Sequence, residues 1–287
     1  MKKTGIMTDS HSGILENEAS KLGIAVLPMP FYIDEKLYRE GVDISREEFY
    51  EMLRKGADVA TSQPSPESVM HMWSAMLQEY EELVYIPISS GLSGSCMTAQ
   101  AMAQEEPYAG RVFVVDNGRV STPMHRSVLD AVELAEKGYR AQKIKDILEK
   151  NREHMVIYVG LSTLTYLKKG GRISSVAAVA ADVLKIKPVM KFGVGKLDVY
   201  QKCRGMKNAR KAMIDAMKKE FETNFKEAYE AGKLYLMAAS SSTAEEWIRQ
   251  IKESFPGMDV MCDNLSLGLS CHIGPDGLGI ACCNKAE

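Results

Sequence analysis

The sequence predicts an α/β protein of two domains: an N-terminal, mostly parallel sheet with helices on both faces, then a C-terminal α+β domain with a largely antiparallel sheet. Three observations carry this prediction. Short apolar runs alternate with helical periodicity through the first half, the pattern of parallel strands joined by crossover helices. In the second half two apolar runs flank Gly193-Val194-Gly195, a hairpin signal that demands antiparallel pairing. With 287 residues, 45% of them hydrophobic, the chain is long enough to bury two cores of ordinary size.

In the first half, residues 4–8, 24–33, 83–88 and 112–116 read as strands, and residues 12–22, 46–53, 66–80, 93–103 and 123–137 as helices. Pro66 at a first helical position makes Ser65 an N-cap. A helix over 141–152 leads to a strand at 155–159, the segment 161–167 and the loop Lys168-Lys169-Gly170-Gly171-Arg172. A helix of small apolar residues follows over 173–184. The hairpin then joins 188–192 to 196–201. Ala209, Ala212, Met213, Ala216, Met217, Phe221 and Phe225 recur in steps of three and four, so one long helix buries this stripe and shows lysines on its other face. Strands at 234–239, 259–263 and 278–283, with a helix at 243–253, complete the C-terminal domain. The boundary is placed at residue 160, giving domains 1–160 and 161–287.

Charge and cysteine usage exclude several classes. Lys plus Arg number 36 against 38 Asp plus Glu, for a net charge of −2, which lacks the positive excess of a nucleic-acid binder. The opening residues reach Asp9 before any apolar stretch of signal-peptide length. The longest weakly polar run, 173–185, is too short to span a bilayer and is broken by Ser174, Ser175 and Asp182. The expectation is a cytoplasmic protein without stable membrane insertion. The 6 cysteines form neither a Cys-x-x-Cys pair nor a Cys/His cluster at zinc spacing, so no metal is expected. Cys282 and Cys283 are adjacent on a strand, where successive side chains take opposite faces, and read as buried free thiols.

Ligands of open α/β sheets sit beyond the carboxyl ends of strands. Four polar segments fall at such ends: Asp9-Ser10, Thr61-Ser62-Gln63-Pro64, Ser89 through Ser95, and Asp116-Asn117-Gly118. The Ser89 to Ser95 loop lies between a strand and a helix, where backbone N–H groups and hydroxyls converge on an anion; an ordinary N-cap by Ser93 is the alternative. Gly91-Leu92-Ser93-Gly94-Ser95 is also similar to the Gly-x-Ser-x-Gly nucleophile elbow, with Ser95 at the final position. Asp259, Asp263 and His272 downstream make a serine hydrolase using Ser93 and His272 the rival function. Thr61, Ser62 and Gln63 are polar groups that capping does not explain. Arg172, behind two glycines, has the planar fork that clamps a carboxylate or phosphate. Arg204, Lys207, Arg210 and Lys211 form a basic stretch, read either as a docking surface or as a solvated face.

Taken in order, Thr8-Asp9-Ser10, Tyr38-Arg39-Glu40-Gly41-Val42-Asp43-Ile44, the Thr61 loop, the Ser89 to Ser95 loop, Gly170-Gly171-Arg172-Ile173 and His272-Ile273-Gly274-Pro275 resemble the motifs of the DegV family of fatty-acid-binding proteins. The resemblance extends over essentially the whole chain. It implies two α/β domains with a long-chain fatty acid held between them and no cofactor. The family's implied function is that of a non-enzymatic carrier, presenting the carboxylate to a separate fatty acid kinase subunit that forms an acyl-phosphate for phospholipid synthesis. Carried over by motif, Thr61 and Ser93 resemble the hydroxyls that bind the carboxylate, with Ser62 and Gly94 beside them in the ligand site, Arg172 and His272 as polar supports, and Arg204 as the contact for the kinase. His11, after Thr-Asp-Ser, and Asp276, after Gly-Pro, depart from the family's small residue and glycine. The departure at Asp276 bears on the His272 loop, because Asp takes positive φ less readily than Gly.

Overall fold

The computed structural model describes residues 2–173, 186–193, 196–241 and 244–286. Its first part contains strands β1 (Lys2–Asp9), β2 (Ala25–Leu27), β3 (Pro30–Ile33), β4 (Lys36–Arg39), β5 (Val59–Thr61), β6 (Tyr80–Ile86) and β7 (Val112–Val114). Interleaved with them are helices α1 (Glu16–Leu22), α2 (Arg46–Arg54), α3 (Pro66–Met76) and α4 (Ser95–Met102); α5 (Ser121–Glu136) and α6 (Ala141–Lys150) follow. A wholly parallel sheet runs in the order β2-β1-β6-β7. Its central strands are apolar on both faces because helices cover both.

The run 24–33, expected as one strand, is two. β2 stays in the parallel sheet, whereas β3 turns away and forms a small antiparallel sheet in the order β4-β3-β5. Pro28 and Pro30 carry no backbone N–H, so one ladder cannot pass through them. Asp34 and Glu35 make the two-residue β3–β4 turn with φ of 48° and 66°, the left-handed pair that matches strand twist. The sheet rests on α2 through an edge-on contact of Phe31 with Phe49, ring centroids 5.6 Å apart.

The later part contains β8 (Met155–Gly160), α7 (Thr165–Gly170), β9 (Ile186–Gly193), β10 (Lys196–Arg204), α8 (Met206–Glu222), α9 (Lys226–Glu230), β11 (Leu234–Ser240), α10 (Glu245–Ser254), β12 (Val260–Asn264), α11 (Leu267–Ile273) and β13 (Leu278–Asn284). Six strands form one sheet in the order β10-β9-β8-β13-β11-β12, parallel only between β11 and β12. The fold class is therefore as predicted: a parallel N-terminal sheet and a largely antiparallel C-terminal one. By sheet membership β8, which ends at Gly160, goes with the strands that follow it rather than with residues 1–160. The helix expected over 173–184 lies outside the described residues but for Ile173, and so do two residues of the expected Gly193-Val194-Gly195 joint.

The six-stranded sheet has two dissimilar faces, set by the two-residue period of strands. Val156, Tyr158, Ile280 and Cys282 turn to α8, whose Ala209, Met213 and Met217 meet them. Met155, Ile157, Ala281 and Cys283 turn the other way, toward Ile6, Val84 and Ile86 of the parallel sheet. Helix α5 lies between the sheets, with Met124, Val128 and Ala131 fully buried in this shared core. Both cysteines of the adjacent pair are buried and free, one on each face.

Helix α11 has no counterpart in the sequence reading. Ser266 caps it by accepting from the Leu269 N–H at 3.2 Å. The half-buried Glu40 carboxylate also accepts from the Leu267 N–H and, at 3.0 Å, from the Ser10 hydroxyl. Tyr50 and Ser270 share a hydroxyl hydrogen bond of 2.7 Å, and Leu267 and Cys271 enter the apolar cluster of α2 and β3. The small sheet and α2 are thus a buttress for the helix that carries His272. No helix among the described residues is long and apolar enough to cross a membrane.

Candidate functional site

A cavity of about 480 Å³ lies between the two sheets, within the usual range for a small-molecule site. Ile157 and Val159 of β8, with Ala281 of β13, form its floor; Ile88 and Leu92, just past β6, form the opposite wall. Ala281, with Ala238 and Ala239 of β11 also in the lining, leaves space where larger side chains would fill the sheet surface. Polar groups gather at one end: His11, Thr61, Ser62, Gln63, Ser93, Arg172 and His272. Ser62 and Arg172 are exposed there, so the polar end opens to solvent.

The polar end is assembled from five chain segments. Thr61 closes β5, and its Oγ1 lies 2.9 Å from Nε2 of His272, on the last turn of α11. Burial, reinforced by the charges of Arg172 and His11, holds the His272 pKa down to about 4, so the ring is neutral at neutral pH. Its Nδ1 is buried without a partner among the described residues, against Gly170; a Cβ on that glycine would stand 2.0 Å from it. The Arg172 guanidinium is held by two backbone carbonyls, donating through Nη1 to Gly170 at 2.6 Å and through Nε to Leu92 at 3.3 Å. Two of the loops that line the cavity are thereby tied together by a cation.

Ser93 lines the cavity, and its hydroxyl donates to that of Ser95 at 3.0 Å while accepting from the Ser95 N–H at 3.3 Å. Ser93 is not the N-cap, a position that falls on Gly94, but its hydroxyl still meets the first N–H of α4 and the residue borders the site as well. Gly94 does not line the cavity. A Cβ there would lie 2.7 Å from Nε2 of Gln63, so the glycine lets the Thr61 loop approach the Ser93 loop. Arg204 stands exposed at the end of β10, away from the cavity lining.

The hydrolase arrangement is not assembled. Among the described residues no hydrogen bond joins Ser93 to His272, whose only partner is Thr61. Asp263 instead accepts from His125, 3.1 Å away, whose other nitrogen meets Glu18. A nucleophile needs a base within hydrogen-bond reach and the base needs an orienting group; neither link is made. No cluster of three His, Cys, Asp or Glu side chains suited to a metal occurs among the described residues.

Three parts of the cavity wall were not picked as site residues from the sequence: His11, Gln63, and the start of α5 at Ser121 and Thr122. His11 follows the carboxyl end of β1, so the strand-end rule that singled out Asp9-Ser10 applied to it as well. Ser121 has φ of 57°, a left-handed conformation unusual for serine, and nothing in its local sequence announces it.

The model of the DegV family, described as an uncharacterised protein family, matches residues 3–285. A DegV domain-containing protein of Caldanaerobacter subterraneus subsp. tengcongensis is 30% identical over 284 residues, covering 98% of each chain. The structure of a DegV family protein from Thermus thermophilus, described by its fatty acid binding, superimposes with a TM-score of 0.84 at 28% identity, over 98% of this chain and 99% of that one. A stearic-acid-binding protein from Eubacterium ventriosum matches with a TM-score of 0.85 at 23% identity, over 98% of both chains, and supports the fold. This chain belongs to the DegV family.

Proposed function

We propose that this chain is a cytoplasmic carrier that binds a long-chain fatty acid between its two units and presents the carboxylate to a separate fatty acid kinase, for acyl-phosphate formation in phospholipid synthesis. One observation carries the reading. A single cavity has hydroxyls, an arginine and a histidine at its solvent-facing end, while apolar side chains make up much of the remaining wall. A fatty acid matches this division, since each methylene buried contributes about 0.8 kcal/mol while the carboxylate must keep hydrogen bonds. The fatty acid binding of the Thermus thermophilus relative supports it.

Thr61, Ser62 and Ser93 are the proposed donors to the carboxylate, with Arg172 supplying positive charge. Neutral His272 has one nitrogen against Thr61 and one without a partner among the described residues. A buried N–H without a partner is rarer than a buried acceptor without one, which favours the proton on Nε2. That proton then goes to Thr61 Oγ1, and the Thr61 O–H is free to donate to the ligand. The Ser93 and Ser95 pair can reverse direction in the same way: Ser95 donates to Ser93, and Ser93 to the carboxylate. Gly94 contributes by admitting Gln63 rather than by touching the ligand. The proposed division between the units falls ahead of β8, a reading supported by the pairing of β8 with β13. Arg204, exposed and outside the cavity, is the proposed kinase contact.

The test is to denature the purified protein, extract it with organic solvent and quantify released lipid by mass spectrometry against protein. The reading expects near-stoichiometric free fatty acid. An empty extract, followed by no saturable uptake of added fatty acid, would overturn it.

A further inference from the structure

His11 is held by a carboxylate that has no other role in the site. Asp9, at the end of β1, is fully buried; its Oδ2 accepts from the Ile88 N–H at 2.9 Å. Its Oδ1 accepts from the His11 N–H at 2.9 Å and meets His11 Nδ1 at 3.1 Å. With the carboxylate acting as acceptor, Nδ1 must carry a proton. Nε2 makes no hydrogen bond to a described residue. It lies where the ring meets α11, 2.9 Å from the position of a Cβ on Gly268, and the residue lines the cavity.

Gly268 and His272 are four residues apart on α11, hence one turn apart on the same helix face. The His11 ring, seated on Gly268, therefore stands beside the His272 ring that meets Thr61. We propose that His11 is a specificity-determining residue of the ligand site, donating a hydrogen bond from Nε2 to the anionic head group of the bound lipid and so selecting a carboxylate over an uncharged alcohol. This rests on the fatty-acid reading above.

Charge around the ring suits the role. Burial works against charging His11, but Asp9, through its charge and its hydrogen bond, together with Glu40 beyond β4, outweighs burial and the opposing charge of Arg172, and the pKa stands raised from 6.5. His272, on the adjoining turn of α11, is neutral at neutral pH and adds no competing charge there. His11 is thus the group near the head-group loops whose cationic form is favoured by its own fixed partner, as a donor to an anion requires.

The experiment measures the affinities of dodecanoate and dodecanol for the native protein and for His11→Asn, whose amide can keep the Asp9 bond but does not extend to the Nε2 position. The variant is expected to bind dodecanoate about tenfold more weakly, the scale of one charge-assisted hydrogen bond, with dodecanol affinity unchanged. Native affinity for dodecanoate is expected to fall as pH rises through the raised pKa of His11 and the imidazolium is lost, while that of His11→Asn stays flat. Equal loss of both lipids, or dodecanoate binding like the native protein's, overturns the proposal. If the variant does not fold, a flat native pH profile overturns it alone. A native protein that takes up neither lipid refutes the fatty-acid reading itself, whereas uptake of both with no difference at His11 refutes only this inference.

Discussion

Thr61 Oγ1 and His272 Nε2 are 2.9 Å apart although 211 positions separate them in the chain, and the contact spans two units of the fold, joining β5 of the small sheet to α11. It makes the proposed head-group site a product of tertiary structure. Removing the hydroxyl without changing shape, by Thr61→Val, should weaken fatty-acid binding about tenfold, the scale of one hydrogen bond to a charged group. Ser93→Ala should weaken it as well. Calorimetric titration with a soluble fatty acid checks both, and affinities equal to the native protein's would place the carboxylate elsewhere.

Gly170→Ala should act on the same contact from behind. The added Cβ would stand 2.0 Å from His272 Nδ1, so the ring has to move off Thr61. Since this glycine does not have positive φ, the backbone accepts alanine and the strain falls on the side chain. The expected result is a folded protein, destabilised by about 1–3 kcal/mol, with a binding loss that adding Thr61→Val does not deepen. A double-mutant cycle of the two reads the outcome, and simple additivity would refute the coupling.

Acid stability should carry the signature of His272. Its folded pKa of about 4 lies below the ordinary 6.5 because burial, then the Arg172 and His11 charges, oppose protonation. Between these values the unfolded chain binds the proton and the folded chain does not, so falling pH favours unfolding. The contribution is complete above 6.5 and is lost as pH falls to about 4, amounting to about 3 kcal/mol. His11 runs oppositely: its raised pKa gives stability that is present below 6.5 and lost as pH rises through the folded value. Urea melts across this range should show a shallower acid loss for His272→Gln than for the native protein; equal losses would contradict the assignment.

Glu40→Ala should loosen α11 from its buttress. The carboxylate takes the Leu267 N–H and the Ser10 hydroxyl in a partly buried setting, and two donors left unpaired cost about 1–3 kcal/mol each. A lower urea midpoint together with weaker ligand binding is expected, because the same helix carries His272. Stability lost with binding intact would show that α11 keeps its place without Glu40.

Arg204→Ala should leave fatty-acid binding unchanged and impair acyl-phosphate formation when a fatty acid kinase and nucleotide are supplied. Retained phosphorylation would move the docking surface elsewhere; loss of fatty-acid uptake would instead tie Arg204 to the fold.

The alternation of strands and helices in the first half was legible because each strand is a short apolar run between polar ends, as at residues 83–88. Thr61, Ser62 and Ser93 were legible as candidates because hydroxyls cluster at strand ends, Arg172 because a guanidinium follows two glycines, and His272 through the family resemblance; all five border the cavity. What escaped was decided by distant partners. The β3–β4–β5 sheet depends on where Pro28 and Pro30 send the chain. Helix α11 contains Gly268 and Ser270, poor helix formers, and takes its stability from Glu40, Tyr50 and the apolar cluster under α2. His11 was noticed only as an oddity, since neither its seat on Gly268 nor its place in the cavity wall has a signature along the chain.

Helix α5 begins at the cavity, with Ser121 and Thr122 in its wall, and runs back between the two sheets. Its Met124, Val128 and Ala131 are buried in the core that both sheets share. Pulling the sheets straight apart would expose that whole core to water at about 25 cal/mol for each Å². Ser62 and Arg172, by contrast, already stand exposed at the polar end. The cleft is in this sense a purse sewn shut along one helix and open only at its polar mouth.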